Sequence, residues 1–281
     1  MKRLSLHLIL GAAVIAVAAV AGANAQAHGH EDWDLGVQTY SFRNFTLFDA
    51  IYQAKALGLS AIEPYPGQQL SPEHDTSVGA DLDDDERDAL RATLESAGAH
   101  LVAFGVVGLS ADEDQVRPIF EFADDMGIPI LTANPEPESF DLLEELVEEF
   151  DIKVAIHNHG PGARYDTVDD TLEAVEGRHP HIGACVDTGH VIRSGENPHE
   201  VVEALGDRVH MLHLKDWEID GPETIVGEGD MDLHALASAL DAVGFEGPIT
   251  LEYELDADWP APHMAIGAFN WRLAVLEALA E

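Results

Sequence analysis

Two hydrophobic rhythms alternate along this chain. Short apolar segments rich in β-branched residues recur at Gly36–Phe42, Ala61–Pro64, His100–Val106, Pro129–Ala133, Lys153–His157, Ile182–Asp187, Arg208–Leu214 and Pro248–Tyr253. Their length and composition are those of buried strands. Between them run stretches with apolar residues three and four apart, at Leu47–Leu57, Asp84–Ala97, Asp114–Met126, Phe140–Phe150, Val168–Gly177, Pro198–Leu205, Leu233–Val243 and Met264–Ala280. These read as amphipathic helices. Gly58, Gly98, Gly127 and Gly244 each stand just past such a stretch, where a helix commonly ends in a left-handed residue. Eight strand–helix units in about 250 residues predict an α/β chain closed into a single (β/α)8 barrel. A doubly wound sheet is the alternative, but no Gly-x-Gly-x-x-Gly follows the first strand.

Ahead of the barrel, Lys2 and Arg3 precede an apolar run from Leu4 to Val20, and Ala23-Asn24-Ala25 gives a small-x-small site before Gln26. Residues 1–25 therefore read as a secretory signal peptide, with an N-terminal anchor as the alternative. Residues 26–33 read as a flexible arm and 34–281 as the barrel. Export to the periplasm or the medium is expected. No other stretch is long and apolar enough to span a bilayer, so no stable membrane association is expected.

Charge narrows the partners. Against 14 Lys and Arg stand 53 Asp and Glu in 281 residues, a net charge of −39. Nucleic acid and anionic membranes would be repelled. Acidic runs such as Asp81 to Glu86 and Glu144 to Glu149 read as solvated faces, and the chain has only four lysines. That balance is expected of a protein adapted to high salt, where screening relieves self-repulsion. The single Cys185 excludes a disulfide framework within the chain and a Cys-rich zinc module. Lying among Ile182, Gly183, Ala184 and Val186, it reads as a small buried hydrophobe.

Chemistry gathers where strands end, the face on which barrels place their active sites. Glu63 ends the second predicted strand, and the fourth runs into Asn134 and Glu136. The fifth ends in His157-Asn158-His159, and the sixth in Asp187-Thr188-Gly189-His190. The seventh carries His210, His213, Lys215 and Asp216, and the eighth Glu252 and Glu254. Strand alternation puts Ala155, His157 and His159 on one face, His213 with Lys215, and Thr250 with Glu252 and Glu254. A single His or Asp at a strand end is commonly a loop hydrogen-bonder. Asp187, His213 and Glu252 weaken that reading, because three successive strands deliver ligand-type side chains at one level. Mixed carboxylate and imidazole chemistry suits one divalent metal: Mn, Co, Fe, Zn or Mg.

The runs Val154-Ala155-Ile156-His157-Asn158-His159-Gly160, Val186-Asp187-Thr188-Gly189-His190, Val209-His210-Met211-Leu212-His213-Leu214-Lys215-Asp216 and Ile249-Thr250-Leu251-Glu252-Tyr253-Glu254 resemble the xylose isomerase-like TIM barrels. That superfamily includes sugar isomerases and epimerases, inosose dehydratase and an endonuclease branch. The resemblance implies a metal held by Asp187, His213 and Glu252. Its epimerases take a fourth ligand, which is also an acid/base, from a glutamate on strand five. Here that neighbourhood reads His157-Asn158, so the two-glutamate mechanism does not carry over intact. His157 is the candidate fourth ligand and Glu136 its substitute. The resemblance further implies that His190 touches substrate and that Lys215 polarises or anchors a sugar oxygen. Glu63, Asn134 and Asn158 are candidate substrate contacts. The acidic balance speaks against the endonuclease branch. Relatives form dimers and tetramers, and a homo-oligomer stays open.

Abstracting a proton beside a carbonyl needs stabilisation of the charge that develops on oxygen. Glu252 is the candidate base, with His159 or His190 returning the proton. The first expectation is a sugar or keto-sugar isomerase or epimerase. A keto-sugar dehydratase or 3-keto-glycoside lyase is the alternative, sharing the first half-reaction. A non-catalytic sugar-binding barrel stands third.

Overall fold

A computed structural model describes residues 33–280. The segment expected to be a signal peptide and nearly all of the expected N-terminal arm fall outside them. The strands are β1 (Leu35–Gln38), β2 (Ala61–Glu63), β3 (His100–Leu101), β4 (Phe104–Leu109), β5 (Ile130–Pro135), β6 (Lys153–His157), β7 (Ile182–Asp187), β8 (Val209–Leu214), β9 (Asp216–Trp217), β10 (Glu223–Thr224) and β11 (Ile249–Leu251). Nine of them form a parallel sheet in the order β3-β2-β1-β11-β8-β7-β6-β5-β4. Its two margins, β3 and β4, are successive pieces of one stretch of chain. Backbone amides of Val102 and Gly105 cross the seam to the carbonyls of Ile62 and Pro64. The sheet is a nearly closed TIM-type barrel, and β9 with β10 forms a separate antiparallel hairpin.

The helices are α1 (Leu47–Ala56), α2 (Asp84–Ala97), α3 (Glu113–Met126), α4 (Phe140–Phe150), α5 (Val168–Val175), α6 (Thr188–Arg193), α7 (Pro198–Leu205), α8 (Leu233–Ala242) and α9 (Pro260–Ala278). Their starts follow side-chain chemistry: Asp83 accepts the Glu86 amide while Glu86 reaches back to the Asp83 amide, capping α2 from both sides. Gly98 and Gly127 take φ 68° past α2 and α3. Valines, leucines and isoleucines of the strands' outer faces pack on these helices as the main core. No helix among the described residues is long and apolar enough to cross a membrane.

Three departures from the sequence expectation have a local cause. The first strand stops at Gln38, because its side chain accepts the Tyr40 amide and starts a 3-10 turn over Thr39–Phe42. The third is broken at Val102 and Ala103, where pairing passes from β2 to β5. The last helix begins at Pro260 rather than Met264, since proline is well accommodated in a first helical turn.

Candidate metal centre and active site

The barrel interior is built in layers by strand alternation. Ala103, Ile130, Ala155, Cys185 and Met211 form an apolar cluster separate from the main core. Cys185 is a free buried thiol, pushed up to about 12 by that burial. Two residues further along β6, β7 and β8, on the same face, stand His157, Asp187 and His213. Asp187 and His213 are register partners across the β7–β8 ladder. Glu252 follows directly on β11, its amide donating to the Leu214 carbonyl at 3.2 Å.

These four side chains converge. One donor atom from each lies within 4.8 Å of the others. Both ring nitrogens of His157, Oδ2 of Asp187 and Nδ1 of His213 are buried without a hydrogen-bond partner. An unpaired buried polar atom costs about 1–3 kcal/mol, so such a set is unfavourable unless something joins it. Two imidazoles and two carboxylates are the donor set of a divalent transition ion, and the residues fit one. Burial works against ionising Asp187, but His190, Lys215 and His157 hold its carboxyl well below the usual range. Burial likewise opposes ionising Glu252, yet Lys215 and His213 bring it down to about 2. Both are carboxylates at neutral pH.

A supporting shell fixes the four. Asp187 Oδ1 accepts the His190 amide at 2.8 Å and starts α6, leaving Oδ2 to face the cluster. His213 Nε2 meets Glu63 Oε2 at 2.8 Å. Thr250 donates to that same oxygen at 2.8 Å and Thr132 to Oε1 at 2.6 Å. A carboxylate behind an imidazole sets its tautomer and raises its basicity as a ligand. Lys215 Nζ lies 3.6 Å from Asp187 and 3.3 Å from Glu252, and it also contacts Glu254.

Several residues expected at the site are placed behind it or already engaged. Glu63 was expected to touch substrate, but it is fully buried behind His213 with its oxygens already engaged. Asn158 spends its amide on the Asp187 backbone, donating to the carbonyl at 3.1 Å and accepting the amide at 2.8 Å. Asn134 accepts from Arg164 at 3.3 Å. Lys215 is 1% exposed and enclosed by carboxylates rather than presented to a ligand. Glu136 is exposed in the turn after β5, away from the donor cluster.

A cavity of about 580 Å³ opens onto the cluster, lined by His157, Glu252, His159, His190 and Glu254 among others. Burial, with His157 and His190 nearby, pushes His159 down to about 4. Burial lowers His190 as well, and Arg193 donates to its Nδ1 at 2.8 Å. Both imidazoles are therefore neutral at pH 7, with the His190 proton on Nε2.

Sequence reasoning missed Gln38, Tyr40, Tyr65, Arg193, Trp217 and Glu223, which also line the cavity. Tyr40 and Tyr65 meet edge to face at 5.1 Å, and Arg193 lies over the Trp217 ring at 4.8 Å. Gln38 and Tyr40 fall within the first predicted strand, whereas Tyr65 lies in a loop, Arg193 ends the six-residue α6, and Trp217 and Glu223 lie on two-residue strands too short to carry a periodic signal.

Comparison with known proteins follows the same lines. The family described as "Xylose isomerase-like TIM barrel" matches residues 51–272. An inosose dehydratase of Geobacillus thermodenitrificans is 27% identical over 194 residues, covering 60% of this chain and 62% of that protein. The chain thus spans less than two thirds of the length of the curated relatives it matches first. A structure from Parabacteroides distasonis shares 30% identity over 88% of this chain and 99% of its own, with a TM-score of 0.70. The structure of an IOLI protein with a bound zinc atom shares the fold at 21% identity, covering 87% and 99% of the two chains with a TM-score of 0.69.

Proposed function

The chain belongs to the xylose isomerase-like TIM barrel family, and from that premise we propose a divalent-metal-dependent lyase that removes a proton beside the carbonyl of a keto-sugar and expels a β-substituent. The observation that carries this reading is the sidedness of the cavity. Its carboxylates Glu223, Glu252 and Glu254 all come from the β8–β10 hairpin region and the end of β11. The β6–α6 side offers His157, His159, His190 and Arg193. Epimerisation by two carboxylates needs one on each face of the sugar, whereas elimination needs one base and one acid. The names of the inosose dehydratase relatives agree with a lyase.

In this reading His157, Asp187, His213 and Glu252 hold the ion. When bound, a divalent cation polarises the carbonyl oxygen and stabilises charge developing there. Glu252, ionised and at the cavity wall, takes the proton. Lys215 balances part of the charge of Asp187, Glu252 and Glu254. His159 and His190, both neutral, donate hydrogen bonds to sugar hydroxyls. Arg193 holds the His190 ring in place. The aromatic edges of Tyr40, Tyr65 and Trp217 give the cavity apolar faces against which a sugar ring packs.

An isomerase or epimerase is the second reading. The pair His159 and His190, with ring centroids 5.4 Å apart, favours it as a means of returning the proton elsewhere. Product mass separates the two. The full chain loaded with Mn²⁺ is incubated with a 3-keto-glucoside, and products are resolved by mass. Loss of water or an aglycone is the expected result, and an isomer of unchanged mass overturns it. Export and a high-salt habitat belong to this reading as proposals, and fractionation of producing cells tests the first.

A further inference from the structure

We propose that Glu223 is a catalytic residue, the acid that protonates the departing oxygen. The inference rests on the lyase reading and assigns its second half. Glu223 begins β10, on a hairpin that rises from the end of β8. Asp216 fixes that hairpin: its carboxylate accepts the amides of Trp217 (2.8 Å), Gly227 (2.8 Å), Gly229 (3.0 Å) and Met231 (3.1 Å). A Cβ at residue 229 would stand 2.4 Å from Asp216 Oδ1, so glycine is required there. A loop anchored by four amides to one buried carboxylate is a rigid support for a functional group. What it delivers to the cavity wall is a glutamate that is 4% exposed.

Glu223 accepts the Glu254 amide at 2.8 Å, two residues from Glu252. Acid and base therefore stand on one wall. Burial pushes the Glu223 carboxyl up to about 7, the Glu254 carboxylate and Glu252 act in the same direction, and the Glu254 amide and Lys215 oppose them. Near neutrality it carries a proton for much of the time, while Glu252 does not.

The step balances without an oxidant or reductant. Glu252 takes the proton from the carbon beside the carbonyl, and that C–H electron pair becomes the new C=C bond. The C–O bond to the leaving group breaks with its pair on oxygen, and Glu223 gives that oxygen its proton. The products are an unsaturated keto-sugar and an alcohol or water. Removal of both groups from one face suits a β-configured 3-keto-glucoside, in which H2 and the glycosidic oxygen lie on the same side of the ring.

The test uses Mn²⁺-loaded full chain with methyl and 4-nitrophenyl 3-keto-β-glucosides. Glu223→Gln keeps an acceptor for the Glu254 amide and removes the acid. Methoxide needs a proton to leave and nitrophenolate does not. Release from the methyl glycoside should fall by about 100-fold or more, and release from the nitrophenyl glycoside by less than about threefold. Exchange of H2 with solvent deuterium, read by NMR, should persist in the variant, with metal content and KM unchanged. Equal loss for both glycosides, no loss for either, or exchange and release failing together would overturn the assignment. An unaltered protein that turns over neither glycoside would remove the lyase reading, and the role of Glu223 with it.

Discussion

Asp187 divides its oxygens between two tasks: Oδ1 starts a helix, and Oδ2, without a hydrogen bond but within ion-pair distance of His157 and Lys215, faces the donor cluster. Neither oxygen can be spared, so Asp187→Ala should lower both metal content by plasma mass spectrometry and thermal stability. Glu63 acts one step further back. Glu63→Gln should weaken metal binding by about 10- to 100-fold in competition titrations while leaving the fold intact. Glu223 predicts a pH dependence. Its folded value of about 7 lies above that of an unfolded glutamate, so its contribution is fully present at acid pH and is lost as pH rises through 7. Glu223→Gln removes that loss, and Tm measured from pH 5 to pH 8 should move in the variant's favour by the equivalent of about 2 kcal/mol. The convergence of His157, Asp187, His213 and Glu252 was legible in the sequence, because strand alternation fixes which residues share a face. Glu63 was legible as a strand-end acid, but its place behind His213 was not, since its partners Thr132 and Thr250 come from strands 69 and 187 residues away.

Among the elements, β6, β7, α2, α4 and α7 have the bounds read from their hydrophobic pattern. Each is long enough for its period to show. The six-residue α6 and the two-residue strands β9 and β10 are too short to carry a period, and Glu223 lies on one of them. The break between β3 and β4 was also illegible, because the apolar run His100–Val106 is continuous in composition while its pairing partner changes. The hairpin's dependence on Asp216 is testable. Asp216→Ala strands four amides and should cost about 3 kcal/mol in denaturant unfolding. It should also raise KM, since Trp217 and Glu223 leave the cavity wall with the loop. A loss of stability with KM unchanged would show that the hairpin is not a wall of the site.

Over the whole molecule, charge is the dominant feature. Fifty-three acids against fourteen bases repel one another, and Arg87, Arg91 and Arg117 each engage carboxylates as far as they reach. Surface pairs of this kind contribute little. Tm should therefore climb as NaCl is raised from about 0.1 M to about 1 M, where screening shortens the range of repulsion to a few ångströms. A Tm indifferent to salt would mean the surface is already neutralised locally. The seam of the barrel has a different consequence, for encounters between copies. Because β3 and β4 are successive pieces of one stretch of chain, β3 pairing with β2 and β4 with β5, the two margins of the sheet meet at a seam instead of lying open. A stray strand finds little unpaired backbone on which to dock. A folded protein of this build offers few open strand edges as a template from which ordered aggregates could extend.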